Sequence, residues 1–242
     1  MDHFQVIYSS RAADYHRLIA PEDADGNLLR TLAAITPLAG RRVVDLGTGT
    51  GRLPLLLAGR VRCVVGLDLY RDMLREHVRQ RAQAGGAWPL LQGDMRALPL
   101  ADACADLVTA GWAIGHWRAW RPAGWRAQIT LILREMLRLA GPGGRLVICE
   151  TLGTGSLAPA APAAGLAEYY AWLEDTWGFR REVIRTDYQF ESVGAAAAQA
   201  EFFFGPELAE KIRAHGWARL PEWTGVWHRP ASPEAAPASG AA

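Results

Sequence analysis

Three glycines alternate with threonines behind an apolar run that carries an acid, in Val43-Val44-Asp45-Leu46-Gly47-Thr48-Gly49-Thr50-Gly51-Arg52. Glycine accepts positive φ and has no Cβ, so a turn built on Gly47, Gly49 and Gly51 lets backbone lie against a ligand. The plainer alternative is a tight strand-to-helix turn that binds nothing. Alternating glycines behind an acid argue instead for a ligand of nucleotide type, and the spacing narrows the choice. The dinucleotide fingerprint GxGxxG needs glycine or alanine at position 52, where this chain has Arg52. A second acid, Asp68, ends the next apolar run 17 residues beyond Gly51. There it can accept hydrogen bonds from both hydroxyls of a ribose, or simply cap a helix. A third acid, Asp94, stands in Gln92-Gly93-Asp94-Met95-Arg96, which could also be a solvated turn.

These residues need a sheet to hold them. Runs 42–46, 63–68, 106–110 and 145–149 are short and near-continuously apolar, as strands covered on both faces must be. Between them lie helical stretches, the clearest over 126–140. There Ile129, Ile132, Leu133, Met136, Leu137 and Ala140 keep helical spacing, and Gly141-Pro142-Gly143-Gly144 stops the helix. The alternation predicts an α/β fold with a doubly wound, mostly parallel sheet and helices on both faces. After residue 152 come a loop at 153–165, a helix at 166–176, a strand at 182–190, a helical pair at 191–215 and a last strand at 222–229. One domain over 1–229 follows, with an N-terminal cap at 1–36, a core at 40–152 and the helical insertion at 191–215. Residues 230–242, rich in Ala, Pro and Ser, are expected to be a disordered tail.

Basic residues number 26 and acidic ones 25, a net charge of +1, so no overall field draws a polyanion or an anionic membrane. Nucleic acid is therefore disfavoured as a partner. Half of the 242 residues are apolar and 21% are charged, enough for a core. Cys63, Cys104 and Cys149 lie in apolar runs without CxxC spacing or paired histidines, which predicts buried thiols and neither a metal site nor disulfides. The opening MDHFQVIYSSR has no basic or apolar leader, and no run reaches about 18 apolar residues. A soluble cytoplasmic protein is expected.

In order and spacing, the glycine turn, Asp68, the Gly93-Asp94-Met95 segment, the run LPLADACADLV at 98–108 and LREMLRLAGPGGRLVI at 133–148 resemble the class I S-adenosylmethionine-dependent methyltransferases. The group in question is the small-molecule one of ubiquinone and menaquinone type, and the resemblance covers about residues 40–152. It implies a seven-stranded Rossmann-like sheet, S-adenosylmethionine as cofactor and a small-molecule acceptor. It also implies roles. Asp45, Gly47, Gly49 and Gly51 would surround the methionine part, Asp45 reaching the amino end directly or through water. Asp68 would bind the ribose, Leu69 would pack on the adenine with Tyr70 a lesser candidate, and Asp94 and the Met95 amide would read the adenine edge. Acids suit an ammonium and a sulfonium, as they would not suit a pyrophosphate.

The carboxyl end of the fourth strand borders the same crevice, so the segment Trp112 to Trp125 should face the transferred methyl group. It contains neither the [DN]PP[FY] segment of amine-modifying nucleobase enzymes nor the Pro-Cys of the cytosine-C5 type. Its four tryptophans, with Arg118, Arg121 and Arg126, could stack bases and hold phosphates. Set against the near-zero net charge, they read as a pocket wall or lid, or as plain packing. Trp112 is assigned to the cofactor and Trp117 to the substrate. His116 is the base where the acceptor has a proton to lose. Glu150, ending the fifth strand, and Tyr15, in the N-terminal cover, are further substrate candidates. The competing functions are a binding module without catalysis, which intact acids at 45, 68 and 94 oppose, and another transferase or a nicotinamide dehydrogenase on the same fold. The acceptor atom and the oligomeric state are left open.

Overall fold

The computed structural model describes residues 2–232. In chain order its helices are α1 (His3–Ser10), α2 (Ala12–Ile19), α3 (Asn27–Ile35), α4 (Arg52–Leu57), α5 (Arg71–Gln83), α6 (His116–Trp120), α7 (Trp125–Ala140), α8 (Ala164–Asp175), α9 (Val193–Phe204) and α10 (Pro206–His215). The strands are β1 (Arg42–Leu46), β2 (Cys63–Asp68), β3 (Leu90–Gln92), β4 (Leu107–Gly111), β5 (Arg145–Thr154), β6 (Arg180–Arg185), β7 (Tyr188–Gln189), β8 (Arg219–Leu220) and β9 (Glu222–Pro230).

Seven strands form one sheet in the order β3-β2-β1-β4-β5-β9-β6. The first five run parallel, and β9 is antiparallel to both of its neighbours. Period-two side-chain direction explains why these strands are apolar throughout. Val43, Leu107 and Val147 turn to one face, against Leu28 and Leu32 of α3 and Leu53 and Leu57 of α4. Val44, Val108, Leu146 and Ile148 turn to the other, against Ile129, Ile132, Leu133 and Met136 of α7 and Tyr169, Tyr170 and Leu173 of α8. Both faces are covered, so the sheet is doubly wound. The α7 stripe is buried at the predicted positions Ile129, Ile132, Leu133 and Met136, and Gly141, at φ +59°, ends the helix.

Several expectations change. The strand expected at 182–190 is two strands: β6 edges the main sheet, whereas β7 pairs with β8 in a separate ribbon. The break falls at Thr186 and Asp187, where the buried Asp187 carboxylate accepts from Arg185, Arg219 and the Glu222 N–H and bends the chain. The cap expected at 1–36 divides. The first helix packs through Ile7 and Tyr8 on Met73 of α5, and Leu18 and Ile19 of α2 pack on Ala196 and Ala197 of α9, but α3 belongs to the sheet face. Only Cys149 is a buried thiol; Cys63, opening β2 at the sheet's end, is exposed and Cys104 is half-buried. Pro230, expected in the tail, still belongs to β9, and the Ala231 N–H donates to the Gly144 carbonyl at 2.9 Å. Residues 233–242 lie outside the described residues.

Candidate functional site

Strands β1, β2 and β4 deliver their carboxyl ends to one crevice. After β1 the chain turns at Gly47 (φ +62°) and Gly49 (φ +54°), a region closed to most side chains. A Cβ on Gly47 would stand 2.5 Å from the Cβ of Ala113, so glycine is what lets the loop after β4 close on the turn. Together they bound a cleft. Its lining includes Gly47, Gly49, Asp68, Leu69, Tyr70, Asp94, Met95, Trp112, His116, Trp117, Tyr8 and Tyr15, residues the sequence had singled out, together with Met73, Ala113 and Trp120. Leu69, Tyr70, Asp94, Trp117 and Trp120 also line an outer vestibule, which Arg96 and Arg121 border.

Asp68 is the hinge of this geometry. Its Oδ2 accepts the Gly49 N–H and its Oδ1 the Tyr70 N–H, both at 2.8 Å. Desolvation pushes its pKa up to about 6 against these bonds. Each carboxylate oxygen can accept a second donor, which leaves room for two ribose hydroxyls. Asp94 is more committed, because Arg96 donates to it through both its side chain and its backbone N–H and holds its pKa low.

Three of the selected residues stand back from the cleft. Asp45, only 2% exposed, accepts from the Thr109 hydroxyl at 2.6 Å across the β1–β4 register, and burial pushes its pKa up to about 7. Gly51 faces His77 of α5, whose ring lies where a Cβ would be. Glu150 is buried, with its Oε1 taking the Gly115 N–H at 2.7 Å.

The loop after β4 divides by residue. Trp125 is core, packed on Tyr169 and Trp172. Trp112, at φ +51°, has the Arg52 guanidinium 4.0 Å from its ring centroid, and Arg52 pairs with the buried Glu22 at 2.6 Å. Trp117 lies under Arg96 at 4.4 Å. His116 stacks on Trp120 with centroids 5.0 Å apart, and its Nε2 lies 2.9 Å from the Tyr8 hydroxyl delivered by α1. Burial holds the His116 pKa down at about 4, so the ring is neutral at physiological pH. Phe203 of α9 packs on Tyr15 and Phe4, which places the helical insertion over the N-terminal cover. Sequence reasoning had met Arg52 only as a missing glycine. The Arg52–Glu22 pair joins positions 30 residues apart, and no local spacing signals it.

A glycine turn and an acid at adjacent strand ends, in a sheet of this order, define a nucleotide-cofactor site of Rossmann-like type. Comparison with known proteins gives the family. Residues 44–148 match the family described as "Methyltransferase domain". A demethylmenaquinone methyltransferase of Thermobifida fusca is 30% identical over 194 residues, 78% of this chain and 74% of that protein. A malonyl-[acyl-carrier protein] O-methyltransferase of Legionella pneumophila is 30% identical over 170 residues, 69% of this chain and 56% of that protein. The solved YcgJ protein of Bacillus subtilis superposes with a TM-score of 0.54 over 84% of this chain and 96% of its own, at 16% identity, a likeness of fold alone. The chain belongs to the class I S-adenosylmethionine-dependent methyltransferases. It spans little more than half the length of the Legionella relative. S-adenosylmethionine is the family's cofactor, and the cleft suits it: carboxylates and aromatic faces surround the place for a sulfonium. Among the described residues no helix is long and apolar enough to cross a membrane.

Proposed function

We propose that this chain transfers a methyl group from S-adenosylmethionine to a small acceptor held at the aromatic end of the cleft. The observation that carries this reading is the convergence of Asp68, with acceptor capacity to spare, on a glycine turn facing an aromatic wall. Bound S-adenosylmethionine supplies a methyl carbon already activated by its sulfonium. Asp68 holds the ribose, Leu69 covers the adenine, and Asp94 and the Met95 amide meet its edge. The backbone of Gly47 and Gly49 lies along the methionine part, with Asp45 behind it. Trp112, Trp117, Trp120, Tyr8 and Tyr15 exclude water and align the acceptor. The neutral His116, with Tyr8, receives the proton of an acceptor that has one to lose.

The two relatives act on different acceptors, demethylmenaquinone and malonyl-[acyl-carrier protein]. Among the described residues no lysine or arginine lines the inner cleft. Of the nearby cations, Arg52 and Arg96 are each paired with a carboxylate, and Arg121 borders only the outer vestibule. That favours an uncharged, ring-bearing acceptor over a carboxylate or a nucleic acid. Calorimetry tests the cofactor site. S-adenosylhomocysteine should bind, and Asp68→Ala should weaken it by about 2 to 3 kcal/mol, or about 30- to 150-fold. Tight NAD binding without S-adenosylhomocysteine binding would overturn the reading. Methylation of malonyl thioesters in preference to quinols would overturn the acceptor class.

A further inference from the structure

His77 is fully buried beneath the glycine turn, and the function proposed above makes no use of it. Its ring occupies the space beside Gly51: a Cβ there would stand 2.6 Å from Nε2 and 2.7 Å from Cδ2. The Trp88 indole N–H reaches His77 Nε2 at 3.0 Å. An indole nitrogen only donates, so Nε2 must be the acceptor and the ring's one proton must sit on Nδ1. Nδ1 makes no full hydrogen bond, and the Gly49 backbone lies within reach of the ring as an acceptor. Gly49 is thus held from one side by Asp68, through its N–H, and approached from the other by a donor whose tautomer is already set. A buried donor short of a full partner is costly in any fold, and here it is aimed at the turn that meets the cofactor.

We propose that His77, fixed by Trp88 as the Nδ1–H tautomer, is a positioning residue that braces Gly49 and Gly51 in the shape that receives S-adenosylmethionine. The proposal rests on the methyltransferase reading of the cleft. Burial also keeps the ring neutral, its pKa pushed down to about 4, so the arrangement persists across the physiological range.

The test is calorimetric titration of the full chain with S-adenosylhomocysteine, using wild type, His77→Leu, His77→Gln and Trp88→Phe, with nitrogen NMR of the wild-type histidines. His77→Leu, which fills the space but donates nothing, should bind about 3- to 10-fold more weakly. His77→Gln restores a donor and should recover affinity to within about twofold. Trp88→Phe, which frees the tautomer, should weaken binding by about 2- to 5-fold. In the wild type, Nδ1 should carry the proton, and its signal should shift downfield when S-adenosylhomocysteine is added. Wild-type affinity in both His77→Leu and Trp88→Phe would overturn the proposal, as would a proton found on Nε2. Should His77→Leu fail to fold, Trp88→Phe and the tautomer decide the matter. A wild-type chain that binds no S-adenosylhomocysteine would overturn the reading of the cleft and this proposal together, whereas variants indifferent to the change overturn only the role of His77.

Discussion

Glu150 ends the apolar stretch of β5, close in sequence to the crevice, and still lies outside the cleft. Its carboxyl accepts backbone N–H groups of the loop after β4, the Gly115 bond measuring 2.7 Å, and burial pushes its pKa up to about 8. A carboxyl with that pKa is largely protonated at pH 7 and cannot serve as an anion there. Its role is to tie the β4 loop to β5, with His116 next in the chain. Glu150→Gln keeps an oxygen for Gly115 and should leave turnover within about twofold of wild type. Glu150→Ala strands a buried donor and opens a cavity, at a cost of about 2 to 3 kcal/mol, or roughly 4 to 12 °C in melting temperature. Kinetics and calorimetry of the two variants check this. A Gln variant that melts normally but no longer turns over would put Glu150 into the chemistry after all. Asp45 follows the same logic, being bonded to Thr109 across the strand pair and not among the residues that line the cleft.

The segment from the end of β4 to the start of α7 is a single run of tryptophans in the sequence and three kinds of structure in the fold. Trp112 and Trp120 line the cleft, Trp117 does so while packed into the core, and Trp125 is core alone at 3% exposure. Trp120→Ala should therefore raise the acceptor KM or lower kcat with little change in melting temperature. Trp125→Ala should cost about 3 to 5 kcal/mol of stability. Thermal melts paired with turnover separate the two, and a stable, fully active Trp120→Ala would remove the loop from the acceptor site. Strand β1, strand β2 and helix α7 were legible because their signals are local: apolar runs bounded by glycine, and a stripe at helical spacing. So were the turn and Asp68, since a strand end fixes where such residues lie. The Tyr8–His116 contact was not, because it joins residues 108 apart through the packing of α1 on α5. Nor was the break at Thr186 and Asp187, since alternation continues through it and only the arginines gathered on Asp187 show the bend.

Across the whole molecule a near-neutral surface encloses an acidic interior. Glu22 and Asp45 have pKa values pushed up to about 7, and Glu150 and Glu222 to about 8, in each case chiefly by desolvation. A folded-state pKa above the unfolded value means that the native chain binds the extra proton. Stability from such a group is present at low pH and is lost as pH rises through the folded pKa. Four histidines oppose this at lower pH. His16, His77, His116 and His228 are held below their ordinary value by burial, so they charge on unfolding and cost the fold stability as pH falls below about 6.5. Further down, Asp94, Asp106, Glu135 and Glu168, held low by arginine partners, lose their contribution as they protonate. The stability maximum should thus fall near pH 6. Between pH 6.5 and 8 the unfolded-state histidines shed their remaining protons, which roughly offsets the ionisation of Glu22 and Asp45 and leaves Glu150 and Glu222 to set the slope. With Glu150 and Glu222 each contributing on the order of 1 kcal/mol per pH unit, a net loss of about 3 kcal/mol is expected over that interval, or about 6 to 12 °C in melting temperature. Calorimetric melts at pH 6.5 and pH 8 in one buffer of constant ionic strength measure it. The double variant Glu150→Gln, Glu222→Gln should flatten the dependence, because amides carry no proton to lose, and a dependence of the same slope in that variant would assign it to other groups.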